Sequence, residues 1–351
     1  MIYPYKYIDN HRIEKLHQYL EYFFEKMFAD SCLVFDKNIL IKENFSDIFD
    51  SYSKVSEALK NIFSKYQSLS ESSKDKVKEA FEKNNMINDI CTNRIEPIQY
   101  FELDDSIREE LYDFYKSLWE TTLRYKKVTD DSCSVTIHFK EFTDPTFQDV
   151  IICPFCGLEN LLSKADAEDG KRDDYDHYLP KKIYPFNSIN FKNLVPMCHR
   201  CNSKYKGQKD TVYCKEKKVE RRKVFYPYDV TLFNNTIELE IDSEDVELSG
   251  DSGWNIQIQA SMGYMEELES WNDIFDIKDR YKNRIIQLEK TWKNGLLKKY
   301  HRQKARGNFD SEYFKEDILD DINTLEQVNG IIQLAYYRYF LQNIFPEMED
   351  M

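Results

Sequence analysis

The chain has 351 residues, 41% of them hydrophobic and 32% charged, with a formal net charge of −14. Its length suits two or three packed domains and excludes a single small module, and its composition is globular rather than disordered. No apolar run approaches the roughly 18 to 20 residues of a membrane span, and the opening Met1-Ile2-Tyr3-Pro4-Tyr5-Lys6 lacks a secretion signal, so a cytoplasmic protein with no membrane association is expected.

Nine Gly and nine Pro suggest a helix-rich chain with few long loops, and 48 Tyr and Phe supply much of its core. Residues 1–128 read as a helical N-terminal region. His11 to Phe28 sets Ile13, Leu16, Leu20, Phe23, Phe24 and Met27 on one helical stripe. His11 and His17 read as surface or packing residues of that helix. A second helix is predicted over Phe45 to Leu69, and Ser68 to Ser73 breaks it and offers caps for a third, Lys74 to Lys83. Ser106-Ile107-Arg108-Glu109 has capping-box form and predicts a helix running to about Tyr125. Nothing in this region assembles a nucleophile, a phosphate loop or a metal set.

A central domain is expected over 129–223. It opens with an alternation of Cys133, Val135, Ile137 and Phe139 against polar neighbours, which predicts a half-buried strand, and Asp149 to Ile152 predicts a second extended run. The remaining 224–351 predict a small antiparallel sheet, with strands at Thr236–Ile241 and Trp254–Ile258, followed by long helices near Ile274–Lys304 and Ser311–Phe345. The fold class is therefore α+β.

The chemistry concentrates between Cys153 and Gly207. Cys153-Pro154-Phe155-Cys156 and Cys198-His199-Arg200-Cys201 are CxxC pairs 41 residues apart, the spacing of a four-thiolate structural zinc site. Such a site fastens the two ends of the insert, so its loss should unfold the domain. His199, inside the second pair, reads as a surface residue. Cys32, Cys91, Cys133 and Cys214 lie singly and are expected to be buried free thiols. Cys153 to Lys223 holds 16 Lys and Arg against 10 Asp and Glu, while the rest of the chain holds 33 against 53. A basic island in an acidic chain fits local phosphate contact; the plainer reading makes Lys215 to Lys223 a solvated face.

Hydrolysing a phosphodiester needs a base for water, a cation for the charge developing on phosphate, and groups that fix both. Asp176 and His177 are adjacent, and in a strand their side chains point to opposite faces; where a local twist brings both to one cleft, one would hold metal while the other faces the attacking water. Asn202 follows the last Cys at the start of a helix, where its carbonyl oxygen suits Mg²⁺ or Mn²⁺. Asn193 would tie the intervening loop and orient the His177 ring.

At Cys153-x-x-Cys156, Asp176-His177-x-x-Pro180, Asn193-Leu194-x-Pro196 and Cys198-x-x-Cys201-Asn202-x-Lys204 the chain resembles the HNH endonuclease family, over roughly 150–210. The resemblance implies a central ββα-metal domain stapled by zinc, with a hairpin carrying Asp176 and His177, a loop with Asn193 and a helix with Asn202. It makes His177 the general base, Asp176 and Asn202 the ligands of one catalytic divalent ion, and Asn193 the orienting residue. Asn202 stands where the family often has His, which favours an oxygen-seeking ion over Zn²⁺. Lys206 lies where some members carry a further metal ligand; as an ammonium it is expected to meet phosphate instead. Lys181, Lys182, Lys192, Arg200, Lys204 and Lys209 are further candidate phosphate contacts.

The core followed by Phe225-Tyr226-Pro227-Tyr228-Asp229 and a small sheet also looks like HNH proteins of bacterial anti-phage defence operons, of Septu type or retron-associated, whose HNH subunit works beside an ABC-type ATPase. This chain has no P-loop, so any ATP dependence must come from such a partner. The expected activity is metal-dependent cleavage of DNA, with RNA as the alternative substrate. Two other readings stay open: a non-catalytic zinc-stapled module that binds nucleic acid or protein, and an adaptor or inhibitor whose acidic helical flanks meet a basic partner.

Overall fold

A computed structural model describes residues 1–29, 33–148, 152–162, 172–215, 217–234, 236–243, 253–307 and 309–346. The architecture is α+β: among the described residues helices flank three separate two-stranded antiparallel sheets, and no described helix is long and apolar enough to cross a membrane. The strands are β1 (Asp174–His177), β2 (Leu194–Met197), β3 (Tyr213–Lys215), β4 (Val219–Arg221), β5 (Ile237–Ser243) and β6 (Trp254–Ala260), paired β1–β2, β3–β4 and β5–β6.

The N-terminal helices form as their stripes predict, with differences at the ends. Lys15–Phe28 buries Leu16, Leu20, Phe23, Phe24 and Met27. The helix expected over 45–69 is two, Ser46–Ser51 and Ser53–Gln67, because Tyr52 takes an extended conformation (φ −123°, ψ 92°) between them. Ser70 caps Glu71–Asn84 by accepting from Ser73 N. Asp104 rather than Ser106 caps the next helix, Asp105–Glu120, its carboxylate accepting from Ser106 N at 3.0 Å, and the helix ends five residues short of Tyr125.

The strand expected at Cys133–Phe139 is instead a helix, Val135–Phe142. Ser134 caps it by accepting from Ile137 N, and His138, Phe139 and Phe142 form its buried face while Ile137 stays 45% exposed. Four apolar residues at spacing two satisfied a strand pattern, and the cap together with the 3–4 spacing of the buried residues decided otherwise. Of the run Asp149–Ile152, residues 149–151 lie outside the described residues, and Ile152 makes an isolated bridge to Asn160. The long C-terminal segments resolve into Met265–Phe275, Ile277–Ala305, Ser311–Asp320, Gly330–Tyr339 and a π-helical end, Phe340–Ile344.

Buried side chains cluster across these elements. One cluster joins Met1, Ile2, Tyr3 and Tyr5 to the cysteine segments, β2 and the C-terminal helices. Backbone bonds from Ile2 N to Pro154 O (2.8 Å) and from Tyr5 N to Pro227 O (2.7 Å) lock the first residues there. A second cluster holds the N-terminal helices, and Phe186 and Ile189 from the β1–β2 connection enter it. Cys91 and Cys133 are buried as expected, Cys214 is exposed, and Cys32 lies outside the described residues.

Candidate active site and metal centre

The four cysteines of the CxxC pairs converge. All are buried, and their Sγ atoms lie within 4.8 Å of one another. Cys156 Sγ and Cys198 Sγ are 3.9 Å apart, close to the edge of about 3.8 Å that a tetrahedron with metal–sulfur bonds of ~2.3 Å requires. The set fits Zn²⁺ in donor chemistry and spacing.

The first knuckle turns tightly through bonds to Cys153 O from Cys156 N (3.2 Å) and Gly157 N (2.8 Å). Gly157 has φ +64°, and a Cβ there would lie 2.6 Å from Ile2 Cδ1, so this turn needs glycine. Aromatic donors from the C-terminal helices hold its carbonyls: Trp271 Nε1–H to Phe155 O at 2.8 Å and Tyr281 O–H to Cys156 O at 2.9 Å. Arg280, which belongs to no local motif, donates to Cys201 Sγ at 3.3 Å and stacks 4.1 Å over Tyr205. Four thiolates around a dication carry a net −2, and this guanidinium offsets part of it.

From the second knuckle the chain enters a π-helical turn, Arg200–Lys206, which holds Asn202 and Lys206 beside the β1–β2 hairpin. π-Helical turns are rare and concentrate at functional sites. In the hairpin His177 pairs with Leu194 and Asp176 with Val195.

The His177 ring is held from two sides. Its Nε2 lies 2.8 Å from Ser188 O, and Trp119 of Asp105–Glu120 packs edge-on to it, centroids 4.8 Å apart. A carbonyl only accepts, so Nε2 carries the proton and Nδ1 keeps the lone pair. Burial pushes the imidazole pKa down to about 3, and Lys181 and Lys206 add to that shift. His177 as a residue is partly exposed, and with its pKa that low the imidazole is neutral at physiological pH.

Ser188 is itself placed by the N-terminal helices. Its Oγ donates to Tyr115 O at 2.7 Å, and Asn84 Nδ2 donates to Pro185 O at 3.3 Å. Phe186 has φ +76°, a costly conformation for a bulky residue. Edge-on contacts with Phe24, Phe81 and Tyr115 at 5.2–5.3 Å over-determine it. The helical flank thus sets the carbonyl that orients His177.

Asn193 is fully buried and grips the backbone just past His177: Nδ2 donates to Leu179 O at 2.9 Å and Oδ1 accepts from Leu179 N at 2.7 Å. Its side-chain hydrogen bonds go to backbone groups, and among the described residues none goes to the imidazole, so any hydrogen-bonded influence on the ring passes through the loop.

Asp176 is buried with Lys206, whose Nζ lies 2.8 Å from Oδ2. Lys206 directs its hydrogen bond to His177 O at 2.9 Å, and Asp176 Oδ2 accepts no well-directed one, so the contact is ionic. Burial raises the Asp176 pKa, and Lys206 opposes the rise. Lys206, 1% exposed, is thus an internal cation paired with Asp176 and not free to meet phosphate as expected. Asn202 is half-buried and lines a cleft of about 500 Å³ with Trp119, Arg124, Arg172, Asp174 and Tyr175. Neither Asp176 nor His177 lines that cleft, and the Lys206 ammonium beside Asp176 already meets the charge that a divalent ion there would take.

The other expected phosphate contacts divide. Lys181 pairs with Glu120 at 3.2 Å, Arg200 with Glu159 at 3.4 Å, and Lys209 donates to the carbonyls of Asp273 and Ile274. Lys182, Lys192 and Lys204 are exposed and make no ion pair among the described residues. The basic tail is an ion-paired seam: Lys215 with Glu220, Lys218 with Glu96 and Glu102, Arg222 with Asp273 and Lys223 with Glu266. Trp119, Arg124 and Arg172 at the cleft escaped sequence reasoning. Trp119 and Arg124 lie far from the motifs, and Arg172 was counted only within the basic island.

Over a short stretch the chain is similar to a Septu protein. Forty-four residues, 12% of this chain, are 46% identical to Septu protein PtuB of Bacillus thuringiensis and cover 17% of it. Fifty-six residues, 16% of this chain, are 41% identical to protein ea31 of Escherichia phage lambda and cover 16% of it. The chain thus spans about a sixth of the length of these curated relatives. No family model and no solved structure matches.

Proposed function

We propose that this protein is a metal-dependent endonuclease of the HNH type that hydrolyses phosphodiester bonds, with DNA as its first substrate. The observation that carries this reading is His177: a neutral imidazole, its Nε2–H committed to Ser188 O, with the Nδ1 lone pair left to act as a base. The four motif elements and the strand–strand–helix order of β1, β2 and Arg200–Lys206 support the same reading. In it, Asp176 and Asn202 hold a Mg²⁺ or Mn²⁺ ion, which would neutralise charge on the phosphate. His177 takes a proton from water, and Asn193 fixes the loop around it. Similarity to a Septu protein supports a role in anti-phage defence, with an ABC-type ATPase as partner.

The test incubates purified protein with plasmid DNA or with RNA in Mg²⁺ or Mn²⁺, with and without the neighbouring ATPase. Cleavage should vanish in His177→Ala and fall in Asn193→Ala, with zinc content unchanged. A His177→Ala variant as active as the wild type would remove the base assignment.

One observation favours a second reading, the non-catalytic zinc-stapled module. The Lys206 ammonium stands against Asp176, where a nuclease would want its cation. That reading expects zinc at full occupancy, nucleic-acid or protein binding unchanged in Asp176→Ala, and no cleavage with any divalent ion.

A further inference from the structure

A second cavity, of about 830 Å³, shares no lining residue with the cleft of Asn202 and Trp119. It opens where the turn at Tyr100–Glu102, the helix Asp105–Glu120, the segment after Pro180 and the β3–β4 hairpin meet. Its size suits a small ligand, and two kinds of surface line it.

One wall is aromatic. Phe101 leaves 49% of its surface open, and Tyr100 and Tyr112 stand edge to face with centroids 5.4 Å apart. Tyr100 is 7% exposed, and its hydroxyl is buried with no hydrogen-bond partner among the described residues. A buried hydroxyl left unpaired is costly.

The other wall is cationic. Lys182 and Lys217 are exposed and make no ion pair among the described residues. Two of the lining acids are already committed. Asp210 accepts from Tyr184 O–H at 2.6 Å and Gln99 Nε2 at 3.1 Å, and Asp273 pairs with Arg222. Glu109 is exposed and has no such partner, and a free carboxylate is the group that accepts from a base's amino edge.

We propose that this cavity binds a nucleobase with its attached phosphate. The base lies on the wall of Phe101, Tyr100 and Tyr112, and the phosphate meets Lys182 and Lys217. Aromatic faces stack any base, and lysines beside them take the phosphate charge. Two sources share this chemistry: a free nucleotide, or an unpaired nucleotide of a bound strand. In the second case the cavity extends the nuclease reading by placing single-stranded substrate beside the cleavage domain.

The test measures binding rather than cleavage, so its outcome does not depend on whether His177 catalyses. Full-length protein carrying His177→Ala is titrated with the four nucleoside monophosphates and triphosphates by calorimetry, and with a short fluorescent single strand by anisotropy. On that background Phe101→Ala should weaken binding about tenfold, Phe101→Trp should restore it, and Lys182→Glu with Lys217→Glu should weaken it and flatten its salt dependence. All three positions are exposed, so melting temperature should stay unchanged. Mononucleotide binding with this pattern assigns a free nucleotide, and strand binding alone assigns the unpaired segment. No binding of either, or strand binding indifferent to Phe101→Ala, overturns the proposal.

Discussion

Lys206 Nζ lies 2.8 Å from Asp176 Oδ2 in a pair whose side chains are 1% and 7% exposed. It ties the turn after the second cysteine knuckle to β1, and with it the metal centre to the hairpin that carries His177. A buried pair seldom adds much over an apolar replacement, but removing one partner strands a charge.

Lys206→Met should therefore cost about 3–5 kcal/mol of stability at neutral pH, read by urea denaturation of the zinc-loaded protein. The double variant Asp176→Asn with Lys206→Met should recover most of that loss, because no charge is left unpaired. A double variant as unstable as the single one would mean that the Lys206 hydrogen bond to His177 O, and not the charge pair, carries the cost.

The zinc centre gives a second expectation. Chelation, or Cys201→Ser, should release one zinc per chain and cooperatively unfold the region around β1 and β2, since binding energy at such a site is folding energy. Arg280→Met should keep the metal but weaken its retention against a competing chelator, because the dianionic cluster loses the guanidinium 3.3 Å from Cys201 Sγ. Retention equal to wild type would make Arg280 a packing residue of Tyr205.

Much of the candidate site was legible because it is local. Cysteine spacing, the Asp176-His177 dipeptide and Asn193 before β2 are short-range signals, and the structure brings the four thiols together and puts Asn193 on the Leu179 backbone. What escaped is carried by distant chain. Trp119 reaches His177 across 58 positions, Arg280 reaches Cys201 across 79, and Tyr115 fixes Ser188 across 73. No periodicity encodes such contacts. Lys206 differs for a related reason: its charge suggested a phosphate contact, and only packing shows that it sits inside against Asp176. The boundary before the central domain rested on the alternation at Cys133–Phe139, which is a helix in the structure, and buried clusters run across both 128 and 223, where Phe186 and Ile189 join the N-terminal helices and Phe155 packs against Phe275.

The last expectation concerns acid. His138 is 3% exposed on the helix Val135–Phe142, and burial pushes its pKa down to about 3, with His11 adding to the shift. The His11 ring is 4.6 Å away and paired with Glu141 at 2.9 Å, the Tyr175 hydroxyl is 2.6 Å from His138 Nδ1, and Phe142 and Phe191 complete the surroundings. Free histidine titrates near ~6.5. Between that value and about 3 the unfolded chain therefore binds a proton that the folded chain refuses. Stability must fall as pH falls through this window, by about 1.4 kcal/mol per unit for one such group, and level off below it. Above ~6.5 both states are neutral and the residue contributes no slope. His138→Gln keeps a polar partner for Tyr175 and removes the titration. The stability difference between wild type and variant, measured by urea denaturation from pH 7 to pH 4, should be constant near neutrality and drift against the wild type below it. His177, also depressed, adds the same slope to both proteins and cancels in the difference. A difference flat across the whole range would mean that His138 takes up its proton in the folded state.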